Sequence, residues 1–410
     1  MTPEEYLAFL QRAMSSPESE PLSPEEYEER IEARLRHLIH RNDLDLDSIR
    51  GKLSANLSRV ATGNDAATDA MIRPRLLEIY EVARSAGINA ADSEPLFGTL
   101  PTFGCNACTL WAPGHDRVIV AFTSGLPHFL NRIAKIALMV HYAVPPSVYD
   151  KLNETGEDPR EGYRHAVDKV LRENELITRR FATVLAAFAF EAPYLLPVQQ
   201  PPTVVTPGPV DLVGLTRTAL LSGAERFVAG HEFGHVAQGV EGSAVSVAST
   251  QIRGVEVTTL SRNHELEIEA DVTGYFLSHT YAHRRHYPQG REGGGLGVMV
   301  DYLYDFDLAG ANFFLMAAAA LDEAHERHTG MRPAYDTHPP YAYRLEQLKG
   351  MYESLYGFEN VNAMTLEVII DVLKRASAAL PGGMVEAIAF ASEEKRQGVT
   401  WDTPMSFGLE

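Results

Sequence analysis

Apolar positions recur at helical spacing through most of the chain. Ser23-Pro24-Glu25-Glu26 reads as a helix start, with Ser at the N-cap and Pro in the first turn. Ile31, Leu35, Leu38 and Ile39 then follow on one face. Leu46 to Val60 repeats the pattern with Ile49, Leu53, Leu57 and Val60, so the first sixty residues read as helical up to a candidate boundary at Thr62–Asp65. Pro74 to Ala86 predicts another helix, stopped by Gly87. The period then changes. Arg117 to Phe122 alternates weakly and is rich in Val and Ile, which predicts a strand. Cys108–Trp111 is its partner across the Ala112-Pro113-Gly114 turn, making a hairpin. Residues 127–195 return to helix. Pro193 to Pro209 carries six prolines and predicts an extended linker or lid. Further helices are expected at about 223–239 and 264–281, then a loop over His286–Gly297. Phe306–His328 predicts an apolar helix stopped by Gly330, followed by helices at 341–356 and 364–395. The expected fold class is α+β, mostly helical.

Charge and composition narrow the function without naming it. The chain has 36 Lys and Arg against 55 Asp and Glu, a net charge of -19, which repels phosphate backbones and anionic lipid. No nucleic-acid partner is therefore expected. The most apolar runs, Phe181–Phe190 and Phe313–Leu321, fall well short of the roughly 20 residues that span a bilayer. The N-terminus lacks a basic and an apolar leader region, so a cytoplasmic protein is expected. Two cysteines provide no disulfide framework.

The chemistry enters at His231-Glu232-Phe233-Gly234-His235. Two histidines four apart share one helix face and can bind one zinc ion from adjacent corners of a tetrahedron. The glutamate beside the first histidine is placed to take a proton from water activated by that metal. Ser222-Gly223-Ala224-Glu225 fits a capping box for this helix. Gly234, costing about 1 kcal/mol in a helix interior, predicts close approach by another backbone. A catalytic zinc needs a third protein ligand. Asn263 to Asp271 reads as an acidic helix start on which Glu267 and Asp271 share a face. Glu267 is a candidate ligand, and Asp271 a candidate acceptor for the second N–H of a ligand histidine. His264, one turn before Glu267, competes as ligand. Cys105 and Cys108 form a C-x-x-C spacing open to a redox pair, half a metal site or two reduced thiols. His279, His283 and His286 offer a second metal site or a surface cluster at a helix C-terminus.

These motifs together resemble the gluzincin metallopeptidases, whose third ligand is the glutamate of Glu-x-x-x-Asp. Within them the chain is most similar to family M48, the Ste24/HtpX-like peptidases. Three further stretches carry the resemblance in the family's order: Asn106-Ala107-Cys108 through Ser124-Gly125-Leu126, then Glu267-Ile268-Glu269-Ala270-Asp271, then Thr337-His338-Pro339-Pro340 with Arg344. The likeness covers about residues 70 to 355 in patches. It departs at Cys108, where the family has Phe. About a hundred residues separate Gly125 from His231, and the integral members' membrane helices are missing.

The resemblance implies a gluzincin-like core with a small β-sheet and an edge strand, flanked by helical N- and C-terminal extensions. Its division would be residues 1–65, a catalytic core over 66–356 with a helical insert at about 127–220, and 357–410. It implies one zinc ion held by His231, His235 and Glu267, Glu232 as general base, and His338 either as the donor to a developing oxyanion or as a plug on the zinc's open position. Asp271 and Arg344 would order the ligands. The Arg117–Thr123 strand would be the cleft's edge, so that Asn106, Ala107, Val118 and Val120 bind a polypeptide substrate. The implied activity is a soluble zinc endopeptidase. The alternative is a self-inhibited or non-catalytic peptide-binding or scaffold module, with the insert plugging the site or recruiting a regulatory partner.

Overall fold

The computed structural model describes residues 2–14, 66–88, 95–102, 104–112, 114–145, 147–148, 158–189, 196, 212–241, 247–252, 255–260, 264–287, 297–329, 339–356, 360–380 and 383–397. The helices expected over Ser23–Ile39 and Leu46–Val60, almost all of Pro193–Pro209, and His338 lie outside these residues. Helices predominate over one small sheet, so the fold class is α+β as expected. Among the described residues no helix is long and apolar enough to cross a membrane.

The sheet contains β1 (Leu96–Leu100), β2 (Ala107–Trp111), β3 (Val118–Thr123), β4 (Val247–Ile252) and β5 (Val255–Leu260), in the order β1-β3-β2-β5-β4. The expected hairpin forms between β2 and β3, antiparallel from Ala107↔Phe122 to Trp111↔Val118. The expected edge does not. β1 runs parallel along the other side of β3, from Leu96↔Ile119 to Leu100↔Thr123, which makes β3 an interior strand. Val118, Val120 and Phe122 enter the main core, while Ile119 and Ala121 face helix α1 (Pro3–Met14) through Tyr6, Leu7, Leu10 and Met14. A strand covered on both faces needs a continuous apolar run rather than alternation, which is why Val118–Phe122 alternates so weakly. Val118 and Val120, only 4% and 2% exposed, have no open edge to offer a peptide. β1 itself is short and contains Gly98. A Cβ there would lie 2.5 Å from Leu7 Cδ2, so any other residue would make the Leu7 side chain of α1 shift.

Helix α2 (Ala66–Ser85) begins before Pro74 and carries that proline inside it. It ends as expected at Gly87, whose φ is 71°. Ile88 N–H donates to Ala83 O and Gly87 N–H to Arg84 O, both at 3.1 Å, the paired bonds of a Schellman stop. Helices α3 (Gly125–Ala143), α4 (Pro159–Glu173) and α5 (Glu175–Ala189) take up most of the stretch expected to be helical over 127–195.

Helix α6 (Leu212–Glu241) is the axis of the molecule and packs on α2, α3 and the helices that follow. Its expected capping box sits mid-helix instead. Ser222 Oγ accepts from Arg75 Nη2 at 2.9 Å, and Glu225 Oε2 pairs with Arg75 Nε at 3.4 Å. N-terminal to Ser222 the helix continues with one face buried at Thr216 and Leu220, while Val213 and Leu215 stay exposed.

Then come α7 (His264–His286), α8 (Gly297–Leu308), α9 (Gly310–Thr329), α10 (Tyr341–Tyr356), α11 (Val361–Ala378) and α12 (Gly383–Arg396). The single helix expected over Phe306–His328 is divided at Ala309. There the chain touches α6 backbone to backbone: a Cβ on Gly310 would lie 2.3 Å from Ala224 N. The helix expected over 364–395 is likewise two helices, α11 and α12.

Candidate metal centre

The centre is built where α6 crosses α7, and small residues make the crossing close. A Cβ on Gly230 would lie 2.8 Å from Gly274 Cα, and one on Gly234 would lie 2.9 Å from Ala270 Cα. The close approach expected at Gly234 is therefore present, and its cost in helix propensity is offset by backbone contact. The crossing brings the buried face of α7, with Glu267 and Asp271 one turn apart, against His231 and His235 on α6. His264, the competing ligand, is exposed at the start of α7, whereas Glu267 is fully buried.

Three side chains converge. His231 Nε2 lies 3.2 Å from His235 Nε2 and 3.5 Å from Glu267 Oε2, and His235 Nε2 lies 3.4 Å from Glu267 Oε1. One ligand atom from each residue falls within 4.8 Å of the others, and the group could hold a metal ion. The other ring nitrogens fix the tautomers. His231 Nδ1 is 2.9 Å from Asp271 Oδ1, a carboxylate oxygen that only accepts, so Nδ1 carries the proton and Nε2 presents its lone pair inward. His235 Nδ1 is 2.9 Å from Gln238 Oε1, whose amide is oriented by Nε2 donating to Leu266 O at 2.9 Å. Two neutral imidazoles and a carboxylate, lone pairs facing one point, are a donor set that suits a divalent transition-metal ion.

Charge around the triad supports the same state. Burial holds the His231 ring below its ordinary pKa, outweighing the opposing pull of Asp271, so it stays neutral as a ligand must. Burial alone would raise the Asp271 carboxyl. Arg344 overrides it with two bonds, Nε to Oδ2 at 2.7 Å and Nη2 to Oδ1 at 2.6 Å, and the carboxyl is held below its usual range. Arg344 in turn lies over the Tyr341 ring at 5.0 Å.

Glu232 is 2% exposed and lies beside the triad at a cleft of about 310 Å³. Thr109 on β2 donates to Glu232 Oε2 at 2.8 Å and to its backbone O at 3.1 Å, which fixes the carboxyl's orientation. Gly104 to Ala107, Phe188, Val228, Phe314, Asp322, His325, Tyr341 and Arg344 contribute to the cleft's lining.

Of the expected site residues, the structure brings together His231, Glu232, His235, Glu267, Asp271 and Arg344, with Asn106 and Ala107 at the cleft wall. Val118 and Val120 are not there; they lie within the core beneath the sheet. Thr109 and Gln238 were missed. Gln238 stands three residues after His235, a helical spacing that could have suggested it; Thr109 is distant in sequence and carries no such signal. Cys105 and Cys108 are not joined by a disulfide. Cys105 lines the cleft and Cys108 packs with the residues of α1. His279 and His286 engage Tyr304 and Asp307 at 3.1 and 3.3 Å. Among the described residues only the triad gathers three metal-ligating side chains.

No protein-family model, no curated protein and no solved structure matches the chain.

Proposed function

We propose that this protein is a zinc-dependent endopeptidase of the gluzincin type, similar to the Ste24/HtpX-like group, that hydrolyses peptide bonds. One observation carries the reading: a buried His231–His235–Glu267 triad opens, through His231 and Glu267, onto the cleft that holds the oriented carboxyl of Glu232. A triad alone suits a structural site. A carboxylate placed beside it at a cleft suits hydrolysis.

His231, His235 and Glu267 would hold the ion. A zinc ion bound there supplies positive charge that acidifies water and polarises a carbonyl. The chain's own residues do the rest. Glu232 takes a proton from the attacking water and returns it to the leaving amine, and Thr109 keeps that carboxyl aimed into the cleft. Asp271, clamped by Arg344, holds His231 in the tautomer that ligation requires. Tyr341 lines the same cleft, and burial pushes its phenol up to about 12. It therefore stays protonated at neutral pH and offers a donor to a developing oxyanion. The open stretch of wall is Gly104 to Ala107 and not β3. β2 pairs with β5 only at Leu110↔Thr259, so an extended peptide would run beside Asn106 and Ala107.

The test pairs metal content with turnover. Wild type and Glu232→Gln should both bind about one zinc per chain, and only wild type should cleave an unstructured protein. Cleavage by Glu232→Gln at the wild-type rate would overturn the mechanism, and zinc-free wild type after zinc supplementation would overturn the site.

A further inference from the structure

The cleft holds a carboxylate that neither the triad nor the proton transfer uses. Asp322 sits on α9, and the α9 residues Phe314, Leu321, Asp322 and His325 line the cleft. Phe314 packs edge-on against Tyr341, with ring centres 6.0 Å apart, so this face of α9 meets the cleft beside Arg344.

Asp322 differs from the other acidic groups there. Asp271 is tied to Arg344 and His231, Glu232 accepts from Thr109, and Glu267 faces both histidines. Asp322 is half-buried, yet among the described residues it makes no hydrogen bond or ion pair. The charged or titratable groups near it are His325, Arg344 and Glu323. Arg344 is already committed to Asp271, and His325 Nδ1 lies 3.3 Å from Ala189 O. Burial pushes the Asp322 carboxyl up to about 6, so it is still ionised at neutral pH in a place that disfavours its charge. Such a group gains most from a guest that brings the opposite charge. The neighbouring walls, Phe188, Val228, Phe314 and Leu321, suit the methylene stem of a long side chain.

We infer that Asp322 is a specificity-determining residue, and that the cleft beside the metal centre takes a lysine or arginine side chain of the substrate, its stem against Phe314 and Leu321 and its cationic head at Asp322. This rests on the reading that a polypeptide enters this cleft. The net charge of -19 favours approach of a basic segment on the same grounds. An acidic substrate residue would meet a carboxylate of its own sign at Asp322, whereas the nearby cation, Arg344, is held by Asp271.

The experiment separates binding from turnover. Acetylated heptapeptide amides carry Lys, norleucine or Glu at each position in turn, in an otherwise fixed frame. Their affinities for the zinc-supplemented full chain are measured in the Glu232→Gln background, and their cleavage in wild type. At one position Lys should bind about tenfold or more tighter than norleucine, and Glu weaker than both. Asp322→Asn should abolish the Lys advantage while leaving norleucine affinity within about twofold, and Asp322→Glu should keep it. Asp322→Lys, with the charge reversed, should favour Glu. A Lys preference that survives in Asp322→Asn overturns the inference, as does equal affinity for Lys and norleucine at every position or no binding of any peptide. If the preference tracks Asp322 but wild type cleaves nothing, peptide hydrolysis fails while the basic subsite stands.

Discussion

Helix α6 carries two buried charged clusters, only a turn apart, and they are built on opposite logic. At one end Arg226 is fully buried. It pairs with Glu78 at 3.2 Å and with Asp307, and it lies over the Tyr281 ring at 4.8 Å. Asp307 also meets His286 at 3.3 Å, and Glu225 meets Arg75. Each charge there faces one of opposite sign, although the buried Arg226 Nε has no hydrogen-bond partner. At the other end the outer atoms of His231 and His235 are satisfied in the same way by Asp271 and Gln238, but the inner ones are not donor against acceptor. Lone pairs of two imidazoles and a carboxylate converge. Buried charge by itself therefore marks no site, since both ends have it. Convergence of like groups, held in place by opposite ones, is the feature that separates a candidate centre from a structural clamp.

That contrast can be broken at its strongest point first. Glu232→Gln should lower peptide hydrolysis about 100-fold to 10,000-fold and leave zinc content unchanged; a smaller loss would move the general base elsewhere. At the other end, Arg226→Met should cost about 3 to 5 kcal/mol in a denaturant titration, because Asp307 and Glu78 lose their central cation. The fraction that stays folded should still bind one zinc. Loss of zinc from folded Arg226→Met would show that the two ends are not separate devices. Within the metal centre, Asp271→Asn should weaken zinc about 10-fold to 100-fold in competition with a chelator, since it loosens both His231 and Arg344. Gln238→Ala should cost less than Asp271→Asn, because a neutral amide supports its histidine without a charge. Equal losses would mean that charge is not what distinguishes the two supports.

The same contrast explains what could be read from sequence. His231, Glu232 and His235 lie on one helix, and spacing alone puts them together. Glu267 and Asp271 lie on another, but their own four-residue spacing and the glycines of α6 already imply a face and a close crossing. Nothing local announces neighbours. β3 reads as a strand from its own residues, yet whether it is an edge depends on Leu96–Leu100, a five-residue segment with a glycine that periodicity does not single out. β4 and β5, six residues each like β3, passed unnoticed. Ser222 and Glu225 have the residue types of a cap. They are mid-helix because Arg75 comes from α2 to meet them, and a long-range partner of that kind leaves no trace in a window of ten residues.

The smallest expected effect concerns pH, and it runs in opposite directions at the two ends. His231 is held below its ordinary 6.5 by burial, and Asp271 below its ordinary 3.8 by Arg344. Both bind fewer protons folded than unfolded. Their stabilisation is complete above about 6.5 and is shed as pH falls, first by His231 and then by Asp271. Glu225 is the reverse. Burial, only partly countered by Arg75, pushes its carboxyl from 4.5 up to about 7. The folded protein then holds a proton that the unfolded chain has lost, so this contribution is full below 4.5 and disappears as pH rises toward 7. Glu225→Gln removes that term alone. In metal-free protein, its Tm relative to wild type should climb by on the order of a few degrees between pH 4.5 and 7 and level off above. Parallel Tm curves for the two proteins across that interval would mean that Glu225 keeps an ordinary carboxyl, its burial fully compensated by Arg75.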